Sequence, residues 1–188
     1  MNFHDETGPS STRAARLTLT FCCVIVFLGS VGIMVLELTA SRLIARAVGQ
    51  SLYTWTSVIG VVLAGLSAGN ILGGRIVERP YAGRWLSAMF VAAGILCLAA
   101  EPIMGMFVAV GRPSWFNWPA WVVVTVSSVL LAPSVALGTI SPIAASIALL
   151  RARRIGMTMG NIYAWGALGS ILGTFATGYF LVNVMGTR

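Results

Sequence analysis

Three ionisable side chains inside an apolar stretch are the residues of this chain best placed to carry chemistry: Glu37, Arg42 and Arg46. An ionisable side chain in a membrane-spanning helix costs roughly 2.5–3.5 kcal/mol on insertion, so such residues are usually paired or functional. On a helix, Glu37 would lie about 140° from Arg42 and about 180° from Arg46. Glu37 therefore needs a partner from another helix, a water-filled cavity or another subunit. The alternative is that all three side chains reach the membrane surface.

The composition identifies the elements that must position these residues as membrane helices. Of 188 residues, 57% are hydrophobic and 9% are charged, whereas a soluble domain carries about 25% charged residues. All twelve basic residues are arginines, mostly in short loops between apolar runs, so the positive charge indicates topology rather than nucleic-acid binding. The three cysteines and the one histidine lack the spacing of a metal site or a disulfide framework. We expect no metal and no cofactor.

The apolar runs predict an all-α, polytopic integral membrane bundle of about five transmembrane helices. The predicted spans are 17–38, 52–74, 85–110, 119–136 and 158–184, each about long enough for roughly 30 Å of hydrocarbon. We expect the first helix to continue to about Gly49 and the third to be interrupted at Glu101-Pro102. Residues 137–150 either extend the fourth span past a kink or lie at the interface.

The polar stretch 1–16 is predicted to be a flexible or surface-lying tail, with 17–188 forming one transmembrane domain. With the N-terminus in the cytoplasm, eight arginines fall on the cytoplasmic side and four on the other. This bias favours a cytoplasmic N-terminus. The expected location is the cell membrane, as a multi-pass protein of a bacterial inner membrane.

Glycine spacing in two of the spans indicates close helix packing. Gly65, Gly69 and Gly73 form two overlapping small-xxx-small steps, which let a neighbouring backbone approach closely. Asn70 lies in the same run and could hydrogen-bond across helices. In the fifth span, the corresponding packing residues are Gly160, Gly169 and Gly173.

The sequence lacks the usual signatures of catalysis. It has no Walker sequence, nucleophile elbow or histidine cluster. Glu37, Glu78 and Glu101 are too far apart in sequence to indicate a catalytic pair. We therefore expect no enzymatic activity from this chain alone.

Two stretches carry motifs with polar or charged residues inside apolar helices. In 36–79 an acid is followed by a Ser-Arg-Leu step, a Gly before a small polar pair, and a Gly-rich helix. These are Glu37, Ser41, Arg42, Leu43, Gly49, Ser51, Gly65, Gly69 and Gly73. In 132–188 a Pro…Gly-x-x-x-Pro step precedes a Gly-x-x-Tyr-Ala step and a Leu-Gly pair. These are Pro133, Gly138, Pro142, Gly160, Tyr163, Ala164, Leu168 and Gly169.

In these motifs the chain resembles the N-terminal membrane part of spermidine-synthase-like membrane proteins. It departs from that family at Gly166-Ala167, where the family has Asn-Thr. The family usually continues into a soluble aminopropyltransferase-like domain, and this chain stops before one, so we expect no polyamine synthesis from it. The resemblance implies a membrane module that is attached to, or encoded with, such a domain.

Charge, polarity and this resemblance together give one set of candidate binding residues. The set is Glu37, Ser41, Arg42, Arg46, Asn70, Glu101 and Tyr163.

Three functions follow as hypotheses. The first is a non-catalytic membrane subunit or scaffold that packs through Gly-rich helices against itself or another membrane complex. The second is a small transporter or half-transporter for a polyamine or other cation, with Glu37 and Glu101 as ligands. The third is a membrane partner of a separate aminopropyltransferase-like protein. The expected partners are thus the lipid bilayer, other membrane subunits or a second copy, and that soluble protein, but no nucleic acid.

Overall fold

The computed structural model describes residues 9–78, 81–152 and 154–181, and within them every regular element is a helix. The helices are α1 (Pro9–Val48), α2 (Leu52–Val77), α3 (Ala82–Val110), α4 (Trp118–Gly138), α5 (Ile140–Leu149) and α6 (Ile155–Ala176), and a π-helical turn (Thr177–Leu181) follows α6. The predicted all-α fold is confirmed.

In the described parts of the chain, four segments are long and apolar enough to cross a membrane: Ala14–Val48, Leu52–Val77, Gly83–Val110 and Trp118–Leu149. The last of them joins α4 and α5, so residues 137–150 extend the fourth span. Helix α6 has 22 residues, enough to cross at 1.5 Å per residue, but it is not among these four apolar segments. The chain is therefore a polytopic membrane bundle with four or five spanning helices. The cytoplasmic position of its N-terminus stays a prediction.

Two helices differ from expectation. Helix α1 begins at Pro9, inside the stretch predicted to be a tail, because proline is well suited to the first turn of a helix. Helix α3 continues through Pro102, since one lost backbone hydrogen bond does not end a helix of 29 residues. Residues 1–8 of the predicted tail and 182–184 of the fifth predicted span lie outside the described residues.

Helices α4 and α5 form the centre of the bundle. Helix α4 packs mainly against α2 and α3 and also contacts α1, whereas α5 packs against α1, α2, α3 and α6. The larger core cluster includes Ile44, Val62 and Leu130. A smaller cluster joins α1, α5 and α6 and contains both Cys22 and Cys23, so these cysteines serve as small apolar side chains.

The junction between α4 and α5 is a local break in one long helical segment. Thr139 Oγ1 donates to the Ala136 carbonyl at 2.7 Å. Pro142 follows three residues later and has no N–H to continue the backbone pattern. This junction brings α5 against α1 and α6 while α4 stays between α2 and α3.

Candidate functional site

The glycine face of α2 packs directly on the α4–α5 junction. A Cβ added at Gly65 would lie 2.6 Å from Ser134 Cβ, and one added at Gly69 would lie 2.8 Å from Gly138 Cα. Gly73 meets the backbone of Thr139 in the same way. Any larger residue would displace the neighbouring helix, so this face is occupied within the chain.

The contact joins the two stretches that carry the family resemblance. Gly69 lies against Gly138, and Gly73 lies against Pro142, where an added Cβ would be 2.5 Å from Pro142 Cγ. Motifs about seventy residues apart thus form the two sides of one helix contact. Close packing of the two helices explains the small residues of these motifs, and no ligand is needed to explain them.

The glycines of α6 divide into two groups. Gly169 packs on the Phe27 carbonyl, and an added Cβ at Gly173 would lie 3.0 Å from Val31 Cα, so both serve the contact with α1. Gly160 is exposed, and a Cβ there would meet nothing within 4 Å. Gly160 is therefore free for a contact outside the chain.

A tight reversal of the chain forms the first cleft. Gly49 ends α1 with φ 79°, in the left-handed region that glycine tolerates. The Ser51 hydroxyl then caps α2 by accepting from the Thr54 N–H at 3.2 Å. Thr54 Oγ1 also donates to the Gly49 carbonyl at 3.0 Å. These bonds hold the first turn of α2 beside the last turns of α1.

The space between these turns is a cleft of about 220 Å³, here called the arginine cleft. Its lining residues are Leu38, Ser41, Arg42, Ala45, Gln50, Thr54, Trp55, Val58 and Gly178. The Ser41 hydroxyl donates a hydrogen bond to the Leu38 carbonyl at 2.9 Å. The Arg42 guanidinium is exposed, and within the described chain it has no hydrogen-bond or carboxylate partner. It is therefore available to an anion.

The second cleft, here called the polar cleft, has a volume of about 410 Å³ and lies between α2, α5 and α6. Its lining residues are Asn70, Ser141, Pro142, Ala145, Ser146, Leu149, Met159, Ile162 and Tyr163. Four of these side chains can form hydrogen bonds and none is charged. In the described parts of the chain, none of those four has a side-chain hydrogen-bond partner.

The predicted binding residues therefore separate into three groups. Ser41 and Arg42 line the arginine cleft, and Asn70 and Tyr163 line the polar cleft. The remaining three, Glu37, Arg46 and Glu101, line neither of these clefts.

The two carboxylates do not form a common site at either cleft. Glu37 is half-buried on α1, Glu101 is exposed on α3, and neither has an ion-pair partner among the described residues. In the same part of the chain, no three His, Cys, Asp or Glu residues are grouped as a metal site would require. Cation transport through these two carboxylates stays a prediction.

Sequence reasoning missed Gln50 and Trp55 in the arginine cleft, and Ser141 and Ser146 in the polar cleft. The Gly49–Ser51 turn was the available signal for the first pair, because a glycine end followed by a serine cap predicts a tight reversal. The two serines of α5 give no comparable signal, since small residues are ordinary in packed membrane helices.

Comparison with protein-family models, with curated proteins and with solved structures found no match to this chain. The resemblance to spermidine-synthase-like membrane proteins, and the partner protein it implies, stay predictions from the quoted motifs.

Proposed function

We propose that this chain is a non-catalytic membrane subunit whose polar cleft receives a transmembrane helix of a neighbouring protomer. The observation that carries the proposal is the cleft itself, an open groove with α5 as its floor and α2 and α6 as its walls. Its free hydrogen-bonding groups include Asn70 and Tyr163. Uncharged polar side chains of this kind hydrogen-bond across helices in membranes.

Outside the lining of the polar cleft, α6 and α2 also expose small residues, which let a second helix approach closely. On α6 these exposed residues are Gly156, Gly160, Ala164, Ala167 and Thr174. On α2 they are Gly60, Ala64, Ser67 and Gly74.

The expected occupant is α6 of a second copy of this chain. From Gly156 to Ala167 the exposed small residues of α6 recur at three- and four-residue intervals. Such a face is complementary to itself, and a two-fold axis would place each α6 in the other protomer's cleft. Such a dimer would lie in the cell membrane. The resemblance described above implies that this is the membrane of a bacterial cell.

Native mass spectrometry of the protein, extracted gently from its own membrane, tests this proposal. We compare the wild type with Gly160→Leu, which fills the α6 face, and with the control Gly94→Leu. Gly94 is also an exposed helical glycine with nothing within 4 Å of an added Cβ, but it lies on α3. We expect a wild-type dimer that Gly160→Leu weakens by about tenfold or more, as overpacking a helix contact does, and that Gly94→Leu leaves intact.

A wild-type monomer, or equal dimerisation of both variants, would contradict the proposal. A complex with a different membrane protein that only Gly160→Leu disrupts would support the subunit role and replace the second copy by that protein. Circular dichroism of each variant verifies that its helices have formed.

A further inference from the structure

The arginine cleft combines a cationic group with an apolar wall. Arg42 and Gln50 supply N–H donors, whereas Leu38, Ala45 and Val58 supply aliphatic surface. Because Arg42 has no partner in the described chain, its five N–H donors are open to a ligand. A ligand that satisfies both parts must carry an anionic group and a hydrocarbon portion.

The position of the cleft along the helices places it at the membrane surface. Arg42 lies six residues before the end of α1 at Val48, which is about 9 Å along a helix axis. Trp55 is 50% exposed at the cleft, and Tyr53, two residues earlier, is 58% exposed. Exposed tryptophan and tyrosine at the end of a span mark the boundary between headgroups and hydrocarbon.

We propose that the arginine cleft binds an anionic phospholipid, with its phosphate on Arg42 and an acyl chain along Leu38 and Val58. A guanidinium matches two phosphate oxygens with two parallel N–H donors. The Gln50 amide lines the same cleft and would donate to the same headgroup.

Phosphate is common to a lipid headgroup and to a soluble phosphate ester, and the apolar wall favours the lipid. The site is separate from the polar cleft, since the two share no lining residue. It therefore stands whether or not the chain dimerises.

In the test, phosphatidylglycerol is added to the delipidated protein, and native mass spectrometry measures how much of it the protein retains. Arg42→Gln removes the cleft charge, and Arg46→Gln is the matched control, because Arg46 is an exposed arginine one turn along α1 that does not line the cleft. We expect Arg42→Gln to lower retention about fivefold, because it removes the specific contact with the phosphate in the cleft. Arg46→Gln should retain the lipid as the wild type does.

A second variant tests the apolar wall without changing the charge. Ala45→Leu places extra side chain in the cleft and should also lower phosphatidylglycerol retention, while helix content and unfolding temperature stay those of the wild type. Glycerol phosphate, which has the headgroup but no acyl chain, should bind at least tenfold more weakly than the lipid. Equal losses in Arg42→Gln and Arg46→Gln would overturn the proposal. Equal affinity for glycerol phosphate and the lipid would overturn it in favour of a soluble anion.

Discussion

Two buried threonines near the core of the bundle differ in one hydrogen bond. The Thr125 hydroxyl is buried and has no partner among the described residues, whereas the Thr139 hydroxyl donates to the Ala136 carbonyl at 2.7 Å. A buried hydroxyl without a partner costs about 1–3 kcal/mol, and a satisfied one contributes about 1 kcal/mol. Since valine has nearly the shape of threonine, replacing each threonine by valine measures the contribution of the hydroxyl alone to stability.

We expect Thr125→Val to raise the free energy of unfolding by about 1 kcal/mol and Thr139→Val to lower it by about as much. Thermal unfolding in detergent, followed by circular dichroism, measures both midpoints under one condition. A lower midpoint for Thr125→Val would show that its hydroxyl is satisfied in the folded protein.

Single residues of the candidate sites were predictable where their chemistry conflicts with their surroundings. Arg42 stands out because a charge inside an apolar run is costly, and it does line a cleft. Gln50 carries no such conflict, and its place in the cleft depends on the reversal at Gly49. Glu37 stands out as strongly as Arg42 yet lines neither cleft, so an unusual residue type does not by itself give the location of a site.

At the scale of elements, the glycines of α2 illustrate how close packing depends on the partner helix. An added Cβ at Gly69 would overlap the Val135 carbonyl and lie 2.8 Å from Gly138 Cα, whereas one at Gly60 would meet nothing within 4 Å. Gly69→Ala should therefore lower the free energy of unfolding by about 1–3 kcal/mol through overpacking. Gly60→Ala should raise it by up to about 1 kcal/mol, because alanine favours helix.

The unfolding midpoints of these two variants, with the wild type as reference, measure the difference. Equal midpoints would mean that α2 and α4 can separate without loss of stability. Because Gly69 packs inside the chain, its substitution tests folding; a substitution at Gly160, on the free face of α6, tests assembly.

The sequence predicts the elements better than their partners. Apolar length identifies α2 to within a few residues, and glycine spacing indicates that one of its faces packs closely. The identity of the partner, the α4–α5 junction, was not predictable, since small-xxx-small spacing is the same for contacts within and between chains. The helical turns at 9–16 were missed because polar composition alone does not distinguish a tail from the exposed start of a long helix.

At the scale of the whole molecule, the two clefts lie toward opposite ends of the bundle. The arginine cleft is where α1 ends and α2 begins, whereas Leu149 and Met159 place the polar cleft beside the connection from α5 to α6. Arg151 in that connection donates to the Thr18 hydroxyl at 3.0 Å, which ties it to the start of α1. One orientation in the membrane therefore assigns the two clefts to different leaflets.

The arginine bias predicts that orientation, with the connections at Glu78 and Arg151 in the cytoplasm. Single cysteines at Ser114, between α3 and α4, and at Glu78, between α2 and α3, test it with a membrane-impermeant maleimide on intact cells. The natural cysteines lie inside α1 and α3, so the wild type serves as the control for background labelling. We expect Ser114→Cys to react and Glu78→Cys to react only after permeabilisation. The arginine cleft would then open to the outer leaflet, and its phospholipid would have to come from there. The opposite labelling pattern would refute the cytoplasmic N-terminus and assign the cleft to the inner leaflet.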